Sequence, residues 1–350
     1  MGLSFSALEI GQGDAFLLEK DEWKCLFDSG SSKSVLPSIL KKKKINHIDL
    51  AICSHNDFDH TNGFIGILDI KNNIAVDEIW LPGIFASIIQ YVVDNGIPRE
   101  IFDPEYYHID KINLDALYDK ESETISCDEF EDNISMYIEY WNYIHRNIQY
   151  EFWPYDILNF KKLSLLIKLK NIEDIAKLAY DRDCLIRWFQ PIDACTNSKV
   201  DYGFTALNSI ETHQIKKIKG VKEFIYALTL SAENKYSLAF EYSEDNTPII
   251  RFSADSDSTC QSVNPYTNNI IITAPHHGSE ANKIVYNTIK GNDIIWVRSD
   301  RKSSKRPCDD FKRQANRYCL ACRKINIKGE LRFEFHGNRW QHIRGNLCTC

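Results

Sequence analysis

Short apolar runs bounded by Gly- and Asp-containing turns dominate the first eighty or so residues. Leu3 to Ile10, Ala15 to Glu19 and Lys24 to Phe27 read as three consecutive strands joined by turns at Gly11-Gln12-Gly13-Asp14 and Asp21-Glu22. The spacing then predicts a helix over Val35 to Lys44, whose run Lys41 to Lys44 suits the negative pole of the helix dipole. Ile48 to Cys53 reads as a short buried strand, with a helix from Asn62 to Asp69 and a strand from Val76 to Leu81 after it. Over residues 85–219 the pattern shifts to aromatic and acidic residues at helical spacing, as in Tyr137 to Ile144 and Ile172 to Leu178, which predicts a mainly helical insertion. Strand signals return at Phe224 to Leu230, Tyr236 to Tyr242, Pro248 to Ser253, Asn269 to Thr273 and Ile294 to Val297, with a helix over Glu280 to Lys290. This organisation is α/β: residues 1–84 and 220–305 form two halves of one unit, 85–219 an insertion and 306–350 a Cys-rich tail.

Composition narrows the surroundings. With 350 residues, 43% of them hydrophobic, the chain can bury a large core. No apolar stretch reaches the length of a membrane span and the first residues lack a signal-peptide pattern, so a cytoplasmic protein is expected. Eleven cysteines without an export signal read as reduced thiols or metal ligands, and not as a disulfide framework. The net charge of -7 excludes a uniformly basic nucleic-acid coat but leaves room for a local basic patch.

The chemistry concentrates in Ser54-His55-Asn56-Asp57-Phe58-Asp59-His60, where four metal-type side chains follow the strand Ile48 to Cys53. A polar surface loop is the plain alternative, but no turn requires two imidazoles and two carboxylates at that spacing. His55 and Asp57 can face one ion and Asp59 and His60 a second, the two-metal clamp of ester and phosphodiester hydrolysis. Two later strands also end in ligand types: Ser253-Ala254-Asp255, whose carboxylate can bridge two cations, and Ala274-Pro275-His276-His277-Gly278-Ser279, whose histidines can complete the second.

In this order the segments resemble the metallo-β-lactamase superfamily, and most closely the soluble hydrolase domain of the ComEC family of DNA-uptake proteins. The resemblance covers residues 1 to about 82 and about 223 to 300, and it departs in the insertion and the tail. It implies a four-layer αββα sandwich with two divalent ions, Zn or Mn, held by His55, Asp57, Asp59, His60, Asp255 and His276 or His277. Many members add a further imidazole to the first metal just before the strand that Ser237 opens; here Asn234 stands near it, and His108 and His213 are the remaining candidates. The ions activate a shared water, Asp59 and His60 are placed at the reaction, and Ser279 is a donor to a substrate oxygen.

The loop after Ile294 to Val297 carries Arg298, Arg301 and Lys302, which favours a phosphate-rich substrate over a merely solvated surface. The leading expectation is a phosphodiesterase or nuclease acting on DNA or RNA. A cyclic or signalling nucleotide or an acyl substrate is the alternative, and a catalytically degenerate binding module is the reading from another class. In the tail, Cys319, Cys322, Cys348 and Cys350 bracket an alternating stretch, Ile325 to Phe335, that reads as the hairpin of a small zinc ribbon.

Overall fold

The computed structural model describes residues 2–98, 124–127, 129–130, 160–192, 197–229, 236–256, 267–301, 303, 305–321, 330–345 and 347–348. A meander of β1 (Leu3–Ala7), β2 (Phe16–Lys20) and β3 (Trp23–Phe27) leads to α1 (Val35–Lys42), β4 (His47–Ile52), α2 (Phe58–Leu68), β5 (Ala75–Pro82) and α3 (Gly83–Asn95). Next come β6 (Thr124–Ser126), α4 (Phe160–Tyr180), β7 (Leu185–Pro191), β8 (Ser198–Lys199), β9 (Phe204–Ala206), β10 (Ser209–Thr212) and β11 (Gln214–Lys216). The remaining elements are α5 (Val221–Thr229), β12 (Phe240–Glu244), β13 (Thr247–Phe252), β14 (Ile271–Thr273), α6 (Ile284–Thr288), β15 (Ile295–Arg298), α7 (Asp309–Lys312), β16 (Arg317–Cys319), β17 (Leu331–His336) and β18 (Arg339–Arg344).

Two mixed sheets face each other. The first runs β10-β7-β5-β4-β3-β2-β1-β17-β18 and the second β16-β15-β14-β13-β12-β9-β8. Period-two alternation explains the layering, because Leu50 and Ile52 face the opposing sheet while Ala51 and Cys53 face the helices. Between the sheets lies an aromatic core in which Phe27 stacks on Phe252 with ring centroids 4.6 Å apart. The outer face of the first sheet packs against α1 to α5, and that of the second against α6 and α7. The result is a four-layer αββα sandwich.

Several elements differ from the sequence reading. Phe224 to Leu228 is helix, not strand, since a short wholly buried apolar run carries no period that separates the two. The segment expected to be mainly helical also supplies strands: β7 pairs parallel to β5 in the first sheet, and β9 pairs with β12 in the second. Tyr137 to Ile144 lie outside the described residues. Helix α2 starts at Phe58, earlier than Asn62, so Asp59 and His60 stand in its first turn and not in a loop. The tail hairpin is formed by β17 and β18, later than Ile325 to Phe335. It is no free-standing ribbon: β17 pairs with β1, and β16 pairs with β15 at the edge of the second sheet. Among the described residues no helix is long and apolar enough to cross a membrane.

Candidate metal centre

The site lies where parallel strands of both sheets end, the position at which open α/β layers collect their chemistry. Asp28 follows β3, Ser54 to His60 follow β4, Asp255 follows β13, and His276 and His277 follow β14. Asp14 arrives from the β1–β2 turn. There Gly13, at φ +95°, is required by close approach, since a Cβ would stand 1.7 Å from the Asp59 carbonyl oxygen.

These side chains form two groups that share Asp255. His55 Nε2 lies 3.7 Å from both Asp57 Oδ2 and Asp255 Oδ2. On the other side, His60 Nε2 is 3.5 Å from Asp255 Oδ1 and His277 Nε2 is 3.5 Å from Asp59 Oδ2. The first group is therefore His55, Asp57 and one Asp255 oxygen. On the second side stand Asp59, His60, His277 and the other oxygen, with His60 central: the ligand atoms of His55, His60 and Asp255 all lie within 4.8 Å of one another.

The opposite ring nitrogens are already held. His60 Nδ1 meets Asp28 Oδ2 at 2.8 Å, and His277 Nδ1 meets Asp14 Oδ1 at 3.0 Å. His55 Nδ1 is 2.9 Å from Ser54 Oγ, which donates to Asp28 Oδ2 at 2.8 Å. Each arrangement turns Nε2 into the cavity, as carboxylate–histidine pairs do behind a metal. His55 Nε2, His60 Nε2 and Asp255 Oδ1 are buried and lack a hydrogen-bond partner. Buried polar atoms are rarely left so, and imidazole nitrogens converging with carboxylate oxygens fit divalent cations.

The protein's own charges tune these groups strongly. Burial opposes protonation of His277, but Asp14, Asp59 and Asp255 outweigh it and lift the imidazole to about 10. His60 is likewise raised, against burial, by Asp28 and Asp255. Burial would raise Asp57 and Asp59, yet His55 and Lys168 hold the first, and His277 and His60 the second, below the usual carboxylate range. On His60 and His277 the surrounding carboxylates thus favour a positive charge, as they would a cation.

His276 and His277 take different roles. Both have left-handed backbones, φ 46° and 53°, a conformation that costs about 1 kcal/mol or more per non-glycine residue. That turn sends His277 inward. It leaves His276 partly exposed, with its Nε2 3.7 Å from Asp255 Oδ2 and 2.6 Å from Arg306 Nη2.

Other expected residues are placed differently. Arg298 is not a substrate arm: its guanidinium is buried and donates to the His277 carbonyl at 2.6 Å, to Cys319 Sγ at 3.0 Å and to Asp300 Oδ2 at 3.2 Å. A buried guanidinium requires such partners, and here it props up the His277 turn. The Ser279 amide donates to the His276 carbonyl and its hydroxyl accepts from the Ala281 amide, so it caps the next turn. Arg301 is exposed, while Lys302, His108 and Asn234 lie outside the described residues. His213 is exposed between β10 and β11, apart from the centre. Of the tail thiols, Cys319 and Cys348 meet; Cys322 and Cys350 lie outside the described residues. The hydrogen bond from Cys348 lowers the Cys319 thiol to about 6, and Arg298 adds to the effect against burial.

Sequence reasoning gave no individual role to Asp14, Asp28 or Lys168, and took Arg306 only as part of the basic loop after Val297. The glycine-flanked turns holding the two aspartates were a signal; the lysine, inside a helical stretch, gave none. Lys168 Nζ lies 2.8 Å from Asp57 Oδ1. Beside His55 a cavity of about 30 Å3 opens, lined mostly by apolar residues such as Pro82, Ile84, Phe85 and Pro191.

No family model matches the chain, and no curated protein does. Among solved structures it is similar to AidC, a dizinc quorum-quenching lactonase in complex with a product, at a TM-score of 0.34 and 11% identity over 96% of this chain and 80% of that chain.

Proposed function

We propose that the chain is a metal-dependent hydrolase with two divalent cations, and that its substrate is a phosphodiester of DNA or RNA. The observation that carries the reading is the pair of ligand groups joined through Asp255. Cations there supply Lewis acidity and make a shared water more acidic. Asp28 and Asp14 hold His60 and His277 in the required orientation, and Ser54 does so for His55. Asp59, on the first turn of α2, would supply a carboxylate oxygen to the second cation beside His277. Arg306 beside His276 and exposed Arg301 give the rim positive charge suited to phosphate oxygens. Asp57 in place of a further imidazole makes the first position richer in oxygen and shifts its preference from zinc towards manganese. A second reading is hydrolysis of an acyl ester or lactone, since the same pair of cations would polarise a carbonyl oxygen as well as a phosphoryl oxygen.

The test is a hydrolysis panel with manganese or zinc: plasmid, single-stranded DNA, RNA, cyclic nucleotides, a generic phosphodiester and a lactone, with Asp59→Ala as control. Polynucleotide cleavage that Asp59→Ala abolishes is the expected result. Turnover of the lactone alone would transfer the proposal to the acyl reading, and no turnover under any metal would overturn both.

A further inference from the structure

The two ligand groups are unequal. The second has two imidazoles and a carboxylate besides its Asp255 oxygen, whereas the first has one imidazole and Asp57. Both groups that could strengthen the first are met by cationic side chains: His276 Nε2 by Arg306, and Asp57 Oδ1 by Lys168 at 2.8 Å. Lys168 comes from the insertion. Helix α4 docks on α2 through Asn171, whose Nδ2 donates to Asn62 Oδ1 at 2.8 Å, and through the buried Ile172 and Ile175. Lys168 stands three residues before Asn171 and four before Ile172, so helical periodicity puts it on the same face, over the start of α2. Its side chain is only 15% exposed, which limits screening of the pair by water.

We infer that Lys168 is a built-in counterion for Asp57 that competes with the cation of the first group and sets how tightly that position holds its ion. The inference rests on the two-cation reading. Asp57 keeps Oδ2 towards His55 but shares its charge with the ammonium, and an ion entering beside it meets a positive charge close by. The insertion thereby makes loading sequential: the Asp59–His60–His277 group fills first, and the His55–Asp57 group fills at higher metal concentration. Lys168 is a positioning residue acting through Asp57.

The test is calorimetric titration of chelator-stripped protein with manganese, comparing wild type, Lys168→Met and Lys168→Arg, each with a thermal melt to establish folding. Wild type should show a tight and a weak class of site. Lys168→Met should tighten the weak class by about tenfold or more and leave the tight class in place, since a neighbouring charge has been removed. Lys168→Arg, which keeps the charge, should resemble wild type. Two equal classes in wild type, or a weak class unmoved in folded Lys168→Met, would overturn the inference while the two-cation reading stands. Wild type that binds a single ion, or none, would overturn that reading itself and the inference with it.

Discussion

Single residues behind the ligands decide whether the ligands can work. Asp28 accepts from His60, from the Ser54 hydroxyl and from the Ser54 amide, so one carboxylate orients imidazoles of both groups. Its positive φ of 55° shows that the backbone is bent to deliver it. Replacing Asp28 with Asn, or Asp14 with Asn, should weaken cation binding roughly 10- to 100-fold without unfolding the protein. Chelator competition against a metal indicator measures this, and unchanged affinity in both variants would remove the orienting role. At this scale the sequence was partly legible. His55, Asp57, Asp59 and His60 declare a ligand chemistry by type, and the structure brings their atoms together with Asp255 and His277. Type alone did not disclose which carboxylate stands behind which ring, because those pairs are made across long sequence separations. Arg298 shows the converse: a cation in a basic run is read as surface or substrate arm, and only its burial reveals a prop.

Among elements, the placement of α2 is decisive, since it carries Asp59 and His60 in its first turn. Gly63 permits it: a Cβ there would lie 2.0 Å from the Ser29 carbonyl oxygen, while the Gly63 amide donates to Gly30 at 3.2 Å. Gly63→Ala should therefore push α2 off the loop that holds Asp28 and destabilise the protein by about 3 kcal/mol. Denaturant unfolding checks it, and a loss below about 0.5 kcal/mol would mean that the backbone yields freely. The strands flanking α2 could be read from their apolar runs. The start of α2 could not, because Phe58 to His60 display ligand chemistry and no apolar period. Helix α5 was misread for a related reason, a buried run too short to show its period.

At the scale of the whole molecule, the first sheet contributes His55 to His60 and the second contributes Asp255 and His277, so a cation held among them would tie one layer to the other. Stripping the metals should lower the melting temperature, and added manganese or zinc should raise it progressively with concentration, as for any ligand confined to the native state. A melting temperature indifferent to chelator and to metal would contradict this. Strand and helix patterns gave an α/β chain and the resemblance gave its layered order, but the spread of residues 85–219 and of the tail across both sheets was in neither. Edge pairing such as β17 on β1 depends on contacts remote in sequence.

The division of the ligands between the two sheets also has a meaning in time. His60 and His277 are 217 positions apart. At the usual 5–20 residues per second, a ribosome needs roughly 10 to 40 s to travel between them. Through most of that interval the emerging chain holds Asp14, Asp28 and the whole His55 to His60 segment while Asp255 has yet to be made, and His277 is missing until its end. The full set of ligand types is thus withheld from every nascent fragment that ends short of His277, and the candidate centre assembles only when the later strands seat against the first.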